Sequence, residues 1–344
     1  MKACLGGYGA KAVKRGPIDG PGDAGKLYAA TLCKRPRPGR AGELIVRSGW
    51  HWEREGADWP LRSTSSFVAL GHLRWHIQRL MPSEAESPSK PPRRIVLLHG
   101  TFSSTHSFRK LGPLLAQGHE VLMPDLPGHG WTQGARASDM AMPNMARLLA
   151  ALIESLGFYP AVFVGHSAGA ALAMRLGLTS GKLLESVISL NGALLPLPGL
   201  LGHVFAPAAQ VLDFVPGLAQ FTAWRSRHSD WVDRLLAGTG SVLSPDDVSW
   251  YRRLASDAPH VQAVMDMMAR WDLAGFAQLL PTFRAPIDLL AASRDATVPA
   301  SEIKRAALLL PQARCQVLRD LGHLAHEEAP QTVAASILES LNRH

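Results

Sequence analysis

Residues 161–170 constrain the fold more than any other part of this 344-residue chain. The run Ala-Val-Phe-Val at 161–164 is continuously apolar, which is typical of a parallel strand that is buried on both faces. Gly-His-Ser-Ala-Gly follows at 165–169, and a helix is predicted from Ala168 to about Leu176. A buried strand that turns this sharply into a helix is typical of a parallel sheet with helices packed against it.

The same alternation of strand and helix extends along most of the chain. Two runs at 67–70 and 73–77 flank Gly71-His72 and predict an antiparallel hairpin. We therefore expect an α/β fold with a mostly parallel central sheet and helices on both faces. Its further strands are predicted at 94–98, 120–123, 161–164, 186–190, 287–290 and 315–318, and its other helices at about 108–115, 143–156, 301–310 and the C-terminus.

Between residues 191 and 283 apolar helical segments with several prolines interrupt this alternation. We expect them to form an inserted helical cap over the carboxyl edge of the sheet, where open α/β sheets bind ligands. The core is accordingly predicted at 49–190 and 284–344. The stretch 194–221, with Asp213 as its only formal charge, predicts plain packing on the core, the lining of an apolar slot or peripheral contact with a membrane.

The basic charge of the chain is confined to its first part. Residues 1–48 contain ten basic and three acidic residues, so +7 of the net charge of +8 lies there and +1 lies in the rest. This Gly- and Pro-rich leader is predicted to be disordered, either as an extension without a role or as a basic arm for anionic lipid or an acidic protein. The nearly neutral remainder predicts no nucleic-acid partner.

Several other features bear on compartment and cofactors. The sequence has no signal-like apolar run and no breaker-free stretch of about 20 apolar residues, which predicts a cytoplasmic protein without a transmembrane span. Cys4, Cys33 and Cys315 lack metal-ligand spacing, and His72 and His76 lie in a strand pattern with no carboxylate nearby in the sequence. We therefore expect neither a metal site nor a cofactor.

Ser167, at the centre of the turn 165–169, is the predicted nucleophile. A serine hydroxyl is weakly nucleophilic and needs a base, which in turn needs an orienting acid. Asp295 follows the strand at 287–290, and His323 follows the strand at 315–318, so both leave the sheet at the same edge as Ser167. His326 competes with His323 for the role of base, but Gly322 permits a tight turn beside His323, which favours His323.

Groups around this triad are predicted to bind the substrate. The backbone N–H groups of Ala168 and Thr101 are the candidate donors to a developing oxyanion. Met265, Met267, Met268 and Trp271 are predicted to share one cap helix, as core packing or as the lining for a flat apolar ligand. The candidate substrate-binding residues are His99, Gly100, Phe102, His166 and Trp271.

Motifs along residues 66–342 resemble the α/β-hydrolase superfamily. They are His-Gly at 99–100, Asp-Leu-Pro-Gly-His-Gly at 125–130, the turn 165–169, the Asp295 segment and Gly-His at 322–323. Segments at 59–62, 189–196, 236–241, 267–273 and 322–328 further resemble the magnesium-chelatase accessory proteins of bacteriochlorophyll biosynthesis, an α/β-hydrolase branch.

The resemblance implies a role in magnesium insertion into protoporphyrin IX, with an apolar small molecule such as a porphyrin and the magnesium-chelatase subunits as candidate partners. From the residues themselves, we expect a serine hydrolase that acts on an ester-like carbonyl. Three alternatives stay open: a general esterase for a small apolar ester, a tetrapyrrole-binding protein without catalysis, and haloperoxidase-like or C–C hydrolase chemistry on the same triad.

Overall fold

One sheet of eight strands organises the structure, a computed structural model that describes residues 50–82, 91–196, 215 and 217–343. The predicted leader at 1–48 lies outside the described residues, as does most of the apolar stretch at 194–221. The spatial order of the strands is β1-β2-β4-β3-β5-β6-β7-β8. Their bounds are β1 Ser65–Leu70, β2 Leu73–Leu80, β3 Arg94–Leu98, β4 Glu120–Pro124, β5 Ala161–His166, β6 Leu184–Leu190, β7 Ile287–Ala292 and β8 Ala313–Leu318.

The pairing of the strands confirms the predicted hairpin and the mostly parallel sheet. β1 pairs antiparallel with β2, with Ser65 opposite Gln78, and β2 pairs antiparallel with β4. Every other neighbouring pair is parallel. Because the carboxyl ends of β5, β7 and β8 share one edge, the loops that follow these three strands meet there.

Both faces of the sheet are covered, which explains why its central strands are mainly apolar. Successive side chains of a strand point to opposite faces. In β3, Val96 and Leu98 pack into one hydrophobic cluster, whereas Ile95 and Leu97 pack into another on the opposite face. Full burial of such a side chain stabilises the fold by roughly 1.5–3 kcal/mol.

The helices pack through apolar stripes of helical spacing. In α3, for example, Met142, Met145, Leu149, Leu152 and Ile153 are buried. Within the described ranges no helix has both the length and the apolar character needed to cross a membrane. The bounds are α1 Trp52–Glu55, α2 Leu111–Leu115, α3 Met142–Ser155, α4 Ala168–Thr179, α5 Leu218–His228, α6 Trp231–Ala237, α7 Pro245–Ala255, α8 Ala258–Arg270, α9 Leu273–Ala277, α10 Ala300–Ala307, α11 Ala325–Glu328 and α12 Pro330–Arg343.

Helices α5 to α9 lie between β6 and β7, inside the interval 191–283 that is predicted to form the cap. The exact boundaries of cap and core stay predictions. One expectation within the cap is corrected: Met265, Met267 and Met268 lie on α8, but Trp271 does not. The helix ends at Arg270, and Trp271, with φ −86° and ψ 92°, has already left the helical conformation.

Candidate active site

Ser167 occupies a strained turn between β5 and α4. Its φ of 52° and ψ of −118° are costly for a residue with a side chain, and strain of this kind costs about 1–3 kcal/mol. The turn closes only because its flanking residues are glycines: a Cβ on Gly165 would lie 2.4 Å from the Ala170 nitrogen, and one on Gly169 would lie 2.2 Å from the Leu98 oxygen. Among residues 161–170, Ser167 is the one that is not fully buried. The turn therefore presents the serine to the space above the sheet.

Asp295 and His323 form a hydrogen-bonded pair at the same edge. The Nδ1 atom of His323 lies 2.7 Å from Oδ2 of Asp295, and both residues are buried. The other carboxylate oxygen, Oδ1, accepts hydrogen bonds from the backbone N–H groups of Thr297 and Val298, both at 2.8 Å. Because an ionised carboxylate only accepts, Nδ1 of His323 is the donor and Nε2 is the basic nitrogen.

A cavity of about 630 Å³ brings Ser167 and His323 into one space, between the sheet edge and the cap helices. Such a volume is within the range of small-molecule sites. Asp295 lies behind His323 and does not line the cavity. The predicted site residues that do line it are Thr101, Phe102, His166, Ser167, Ala168, Trp271 and His323.

Two of the predicted substrate-binding residues, His99 and Gly100, do not line the cavity. The prediction that His99 binds the substrate is corrected. His99 is fully buried and does not line the cavity; its Nδ1 donates to the Gly100 carbonyl at 2.9 Å, and its Nε2 accepts from the Leu126 N–H at 2.9 Å. Burial lowers the pKa of His99, which suits this neutral role. Gly100 is also absent from the lining, but a Cβ there would lie 3.0 Å from Cβ of Ser167, so glycine permits the close approach of this loop to the nucleophile.

The carbonyl oxygen of His323 is held by two side chains. Nε2 of His166 donates to it at 2.9 Å, and Nδ2 of Asn191 donates to it at 2.8 Å. Burial is the main reason that the pKa of His166 lies well below the ordinary range, so its ring is neutral. Asn191 also accepts from the Ala292 N–H at 2.7 Å, which ties the His323 loop to the end of β7.

The cap segment 239–241 contacts both loops that carry Asp295 and His323. The Thr239 carbonyl accepts from the N–H groups of Ala296 at 3.2 Å and His323 at 3.3 Å. Oγ of Ser241 accepts from the Leu324 N–H at 2.8 Å. The cap therefore holds the backbone of the proposed base directly.

This contact explains why position 322 is a glycine. Gly322 is expected to permit a tight turn, but the left-handed conformation in this loop belongs to Asp320, with φ 59°. A Cβ on Gly322 would instead lie 2.3 Å from the Ser241 nitrogen. Glycine is required here by the close approach of the cap segment.

His326 lies away from the cavity. Its ring is fully buried, and its centroid is 4.5 Å from that of His166 and 5.2 Å from that of Phe108. Burial lowers the pKa of His326 to about 3, and its neighbours His323 and Arg109 add to this shift. The structure pairs His323, and not His326, with Asp295.

A buried network of ionisable groups joins the cap to the core. Arg109 donates to Glu327 at 2.7 Å and to Asp247, and Lys110 also donates to Asp247 at 2.8 Å. The Tyr251 hydroxyl donates to Glu327, and the Tyr251 side chain lines the cavity. Burial raises the pKa of Glu327, although Arg109 opposes this shift. Asp247 and Tyr251 both lie on α7, so this cap helix is attached to the core through charge.

His72 and His76 have carboxylate partners that the local sequence does not reveal, which corrects the expectation that none is near. Nδ1 of His76 lies 2.7 Å from Asp125, and Nε2 of His72 lies 2.7 Å from Asp139. Both partners lie about 50 to 70 residues away in the chain. In the part of the chain that the structure describes, no group of three His, Cys, Asp or Glu side chains is arranged to hold a metal ion.

The fold agrees with that of known proteins. The family model described as alpha/beta hydrolase fold matches residues 93–330, more than half of the chain. The chain belongs to the α/β-hydrolase family. This α/β hydrolase is 34% identical over 285 residues to the magnesium-chelatase 30 kDa subunit of Rhodobacter capsulatus, an alignment that covers 83% of this chain and 97% of the relative.

Two further proteins resemble the α/β hydrolase. The sn-1-specific diacylglycerol lipase ABHD11 of Mus musculus is 27% identical over 248 residues, which cover 69% of this chain and 77% of the lipase. The crystal structure of an alpha/beta hydrolase fold protein from Burkholderia ambifaria has a TM-score of 0.66 at 20% identity, with 80% of this chain and 97% of that chain covered. The structural likeness concerns the fold alone, and it confirms the predicted fold class.

Several residues that shape this site are not among those predicted from the sequence. Asn191 lies directly after a buried strand at the ligand edge of the sheet, and this position is a usable signal. Thr239 and Ser241 carry no such signal, because their partners lie more than 50 residues away. The network of Arg109, Asp247 and Glu327 is likewise assembled only by the tertiary fold.

Proposed function

We propose that this α/β hydrolase is a serine hydrolase in which Ser167, His323 and Asp295 act as a catalytic triad. The observation that carries the proposal is the 2.7 Å bond between buried Asp295 and Nδ1 of His323, beside a cavity that Ser167 also lines. Because Nδ1 donates in this bond, Nε2 of His323 is the nitrogen that can act as the base. The strained conformation of Ser167 supports the same role, because strain of this kind is concentrated at functional sites.

The reaction follows from these groups. Oγ of Ser167 attacks the carbonyl carbon of an ester while Nε2 of His323 takes the hydroxyl proton. The N–H groups of Ala168 and Thr101 stabilise the oxyanion of the tetrahedral intermediate. Its collapse expels the alcohol, which takes the proton from His323, and leaves an acyl group on Ser167. Water, deprotonated by His323, then releases the acid and restores the serine.

The cavity favours an apolar substrate. Leu235, Met267, Met268, Trp271 and Leu273 all contribute to its cap side. Thioether and indole groups adapt to flat or irregular apolar ligands. We therefore propose an apolar ester as the substrate class.

The likeness to the magnesium-chelatase 30 kDa subunit of Rhodobacter capsulatus supports a second candidate function. In this proposal the protein is a cytoplasmic accessory factor for magnesium insertion into protoporphyrin IX, which binds the tetrapyrrole in the same cavity and associates with chelatase subunits. The alignment covers 97% of that relative, so it includes the cap as well as the core. The two proposals are compatible if the tetrapyrrole carries the ester, and they differ in whether Ser167 is needed.

A serine-reactive fluorophosphonate probe tests the triad. We expect the wild type to be labelled and Ser167→Ala to be unlabelled, because alanine has no nucleophile. Ser249→Ala, a change at an exposed serine on α7, is the matched control and should be labelled like the wild type. Absence of labelling in the wild type would reject the hydrolase proposal.

Protoporphyrin IX binding, measured by quenching of tryptophan fluorescence, tests the second candidate in the same variants. Binding by the wild type and by Ser167→Ala alike, without probe labelling, would favour a binding protein that has no need of the serine. Binding by neither, with probe labelling intact, would reject the tetrapyrrole and leave the hydrolase.

A further inference from the structure

We propose that an exposed apolar face of the cap, formed by Phe221, Trp224, Leu235 and Met268, docks on an anionic lipid surface. We call these four residues the cap face. The proposal goes beyond the proposed function, because it concerns where the protein binds and not what it cleaves.

The cap face exposes side chains that are usually buried. Phe221 is 55% exposed, Trp224 54%, Leu235 47% and Met268 39%. The rings of Phe221 and Trp224 stack with their centroids 5.9 Å apart and their planes inclined by 29°. Of the nine tryptophans in the sequence, Trp224 is the only one that is exposed. Exposed apolar groups such as the stacked Phe221 and Trp224 mark interaction surfaces.

The packing of α5 fixes its orientation relative to α8. Ala219 and Ala223 of α5 pack against Val261 and Met265 of α8. Near the end of α5, Arg227 donates to the carbonyl of Ser256, two residues before α8 begins, at 2.5 Å. The two helices are therefore antiparallel, and the first turns of α5 lie towards the end of α8.

The end of α8 is also where the cap meets the cavity. Met268 on α8 and Leu235 on α6 are exposed to solvent and line the cavity as well. Two of the four cap-face residues therefore border both the solvent and the cavity.

Charge decides between an anionic membrane and other surfaces. α5 contains no acidic residue, and Arg225, Arg227 and His228 are exposed in its last turn. The acidic residues of the neighbouring α6 region are engaged in ion pairs, Asp230 with Arg234 and Asp233 with Arg252. Exposed aromatic groups with adjacent exposed arginine are typical of helices that lie in the interface of anionic bilayers.

The test is co-sedimentation of the full-length protein with vesicles. We expect the wild type to bind vesicles of phosphatidylcholine with phosphatidylglycerol, and to bind pure phosphatidylcholine vesicles much more weakly. The double variant Phe221→Ser/Trp224→Ser should lower the partition coefficient about tenfold or more, because two interfacial aromatic groups are removed. Leu308→Ser is the matched control: Leu308 is 85% exposed but lies after α10, remote from the cap face in the sequence, and this change should leave partitioning unaltered.

Two further measurements separate this proposal from the proposed function. Ser167→Ala should partition like the wild type, and the double variant should hydrolyse a water-soluble short-chain ester like the wild type. An unchanged unfolding temperature confirms that the double variant is folded. Equal partitioning of the wild type and the double variant, or no binding to the anionic vesicles, would overturn the proposal. So would a result in which the double variant loses self-association or chelatase-subunit binding while vesicle binding is unchanged, because the face would then serve a protein.

Discussion

The two walls of the cavity are built by different physical rules. On the sheet side, the polar groups of the proposed triad are closely satisfied: Asp295 accepts three hydrogen bonds, and the His323 carbonyl accepts from both His166 and Asn191. On the cap side, Leu235, Met268 and Trp271 present apolar surface with few directional contacts. We infer that the sheet side determines the chemistry, because directional bonds fix geometry, whereas the cap side determines which ligand is bound.

Two sets of contacts join the cap to the core, and we call them the charged joint and the neutral joint. The ion network of Arg109, Glu327 and Asp247 is buried and charged, whereas segment 239–241 contributes neutral hydrogen bonds to the loops of Asp295 and His323. Loss of a buried charge partner costs more than loss of a neutral hydrogen bond. The two walls should therefore respond differently to substitution.

The largest effect is expected on the sheet side, from Asp295→Asn. An asparagine amide can present its N–H to Nδ1 and so favour the wrong tautomer of His323, and we expect kcat to fall by about 10⁴-fold, as in other triads. Ester hydrolysis under saturating substrate provides the measurement. Asp320→Asn is the control, since Asp320 is exposed and its left-handed conformation also suits asparagine. Similar rates for the two variants would reject the orienting role of Asp295.

The variant Arg109→Met tests the charged joint. Removing the guanidinium leaves the buried Glu327 without its charged partner, whereas Asp247 keeps Lys110, so we expect the free energy of unfolding in urea to fall by about 3–5 kcal/mol. Arg234→Met removes an exposed cap arginine that pairs with Asp230, and its expected cost is below about 1 kcal/mol. Equal losses in the two variants would show that the buried network does not hold the cap to the core.

The buried His326 predicts a pH dependence on the sheet side. Its pKa of about 3 in the folded protein is below the value of about 6.5 in the unfolded chain, so protons bind the unfolded state first as pH falls. The stabilising contribution is present above pH 6.5 and is lost between pH 6.5 and about 3. When the pH falls from 7.5 to 5.5, we expect the free energy of unfolding of the wild type to decrease by about 1.4 kcal/mol more than that of His326→Phe.

Urea unfolding at the two pH values measures this difference. His51→Phe, at an exposed position before α1, is the matched control and should follow the wild type. Parallel losses in the wild type and in His326→Phe would mean that His326 does not titrate on unfolding in this range.

The smallest effect is expected from Ser241→Ala at the neutral joint. The Leu324 N–H loses its acceptor, which should cost about 1 kcal/mol of stability and lower kcat a few-fold, with KM unchanged, because the neighbouring His323 is less firmly held. Ser249→Ala serves again as the exposed control. A change confined to KM would place Ser241 among ligand-binding groups and contradict its role as a positioning residue.

The sequence predicted the sheet well because its signals are local. Apolar runs identified β3 and β5, shorter strand-like patterns identified β6 and β7, and glycines at 165 and 169 indicated the sharp turn that presents Ser167. Because parallel strands share a carboxyl edge, the order of the strands also predicted that Asp295 and His323 lie together. Errors arose where a residue's role depends on a distant neighbour: His99 became a buried loop support, and Gly322 is needed for the approach of Ser241.

The sequence by itself determined the α/β architecture, the position of Ser167 and the order of its proposed partners, because strand burial and turn geometry are written in short stretches of neighbouring residues. Only the tertiary structure decided how segment 239–241 and Asn191 hold the His323 loop, and which cap residues stay exposed. These features depend on contacts between residues that are far apart in the chain, and local periodicity contains no information on such contacts.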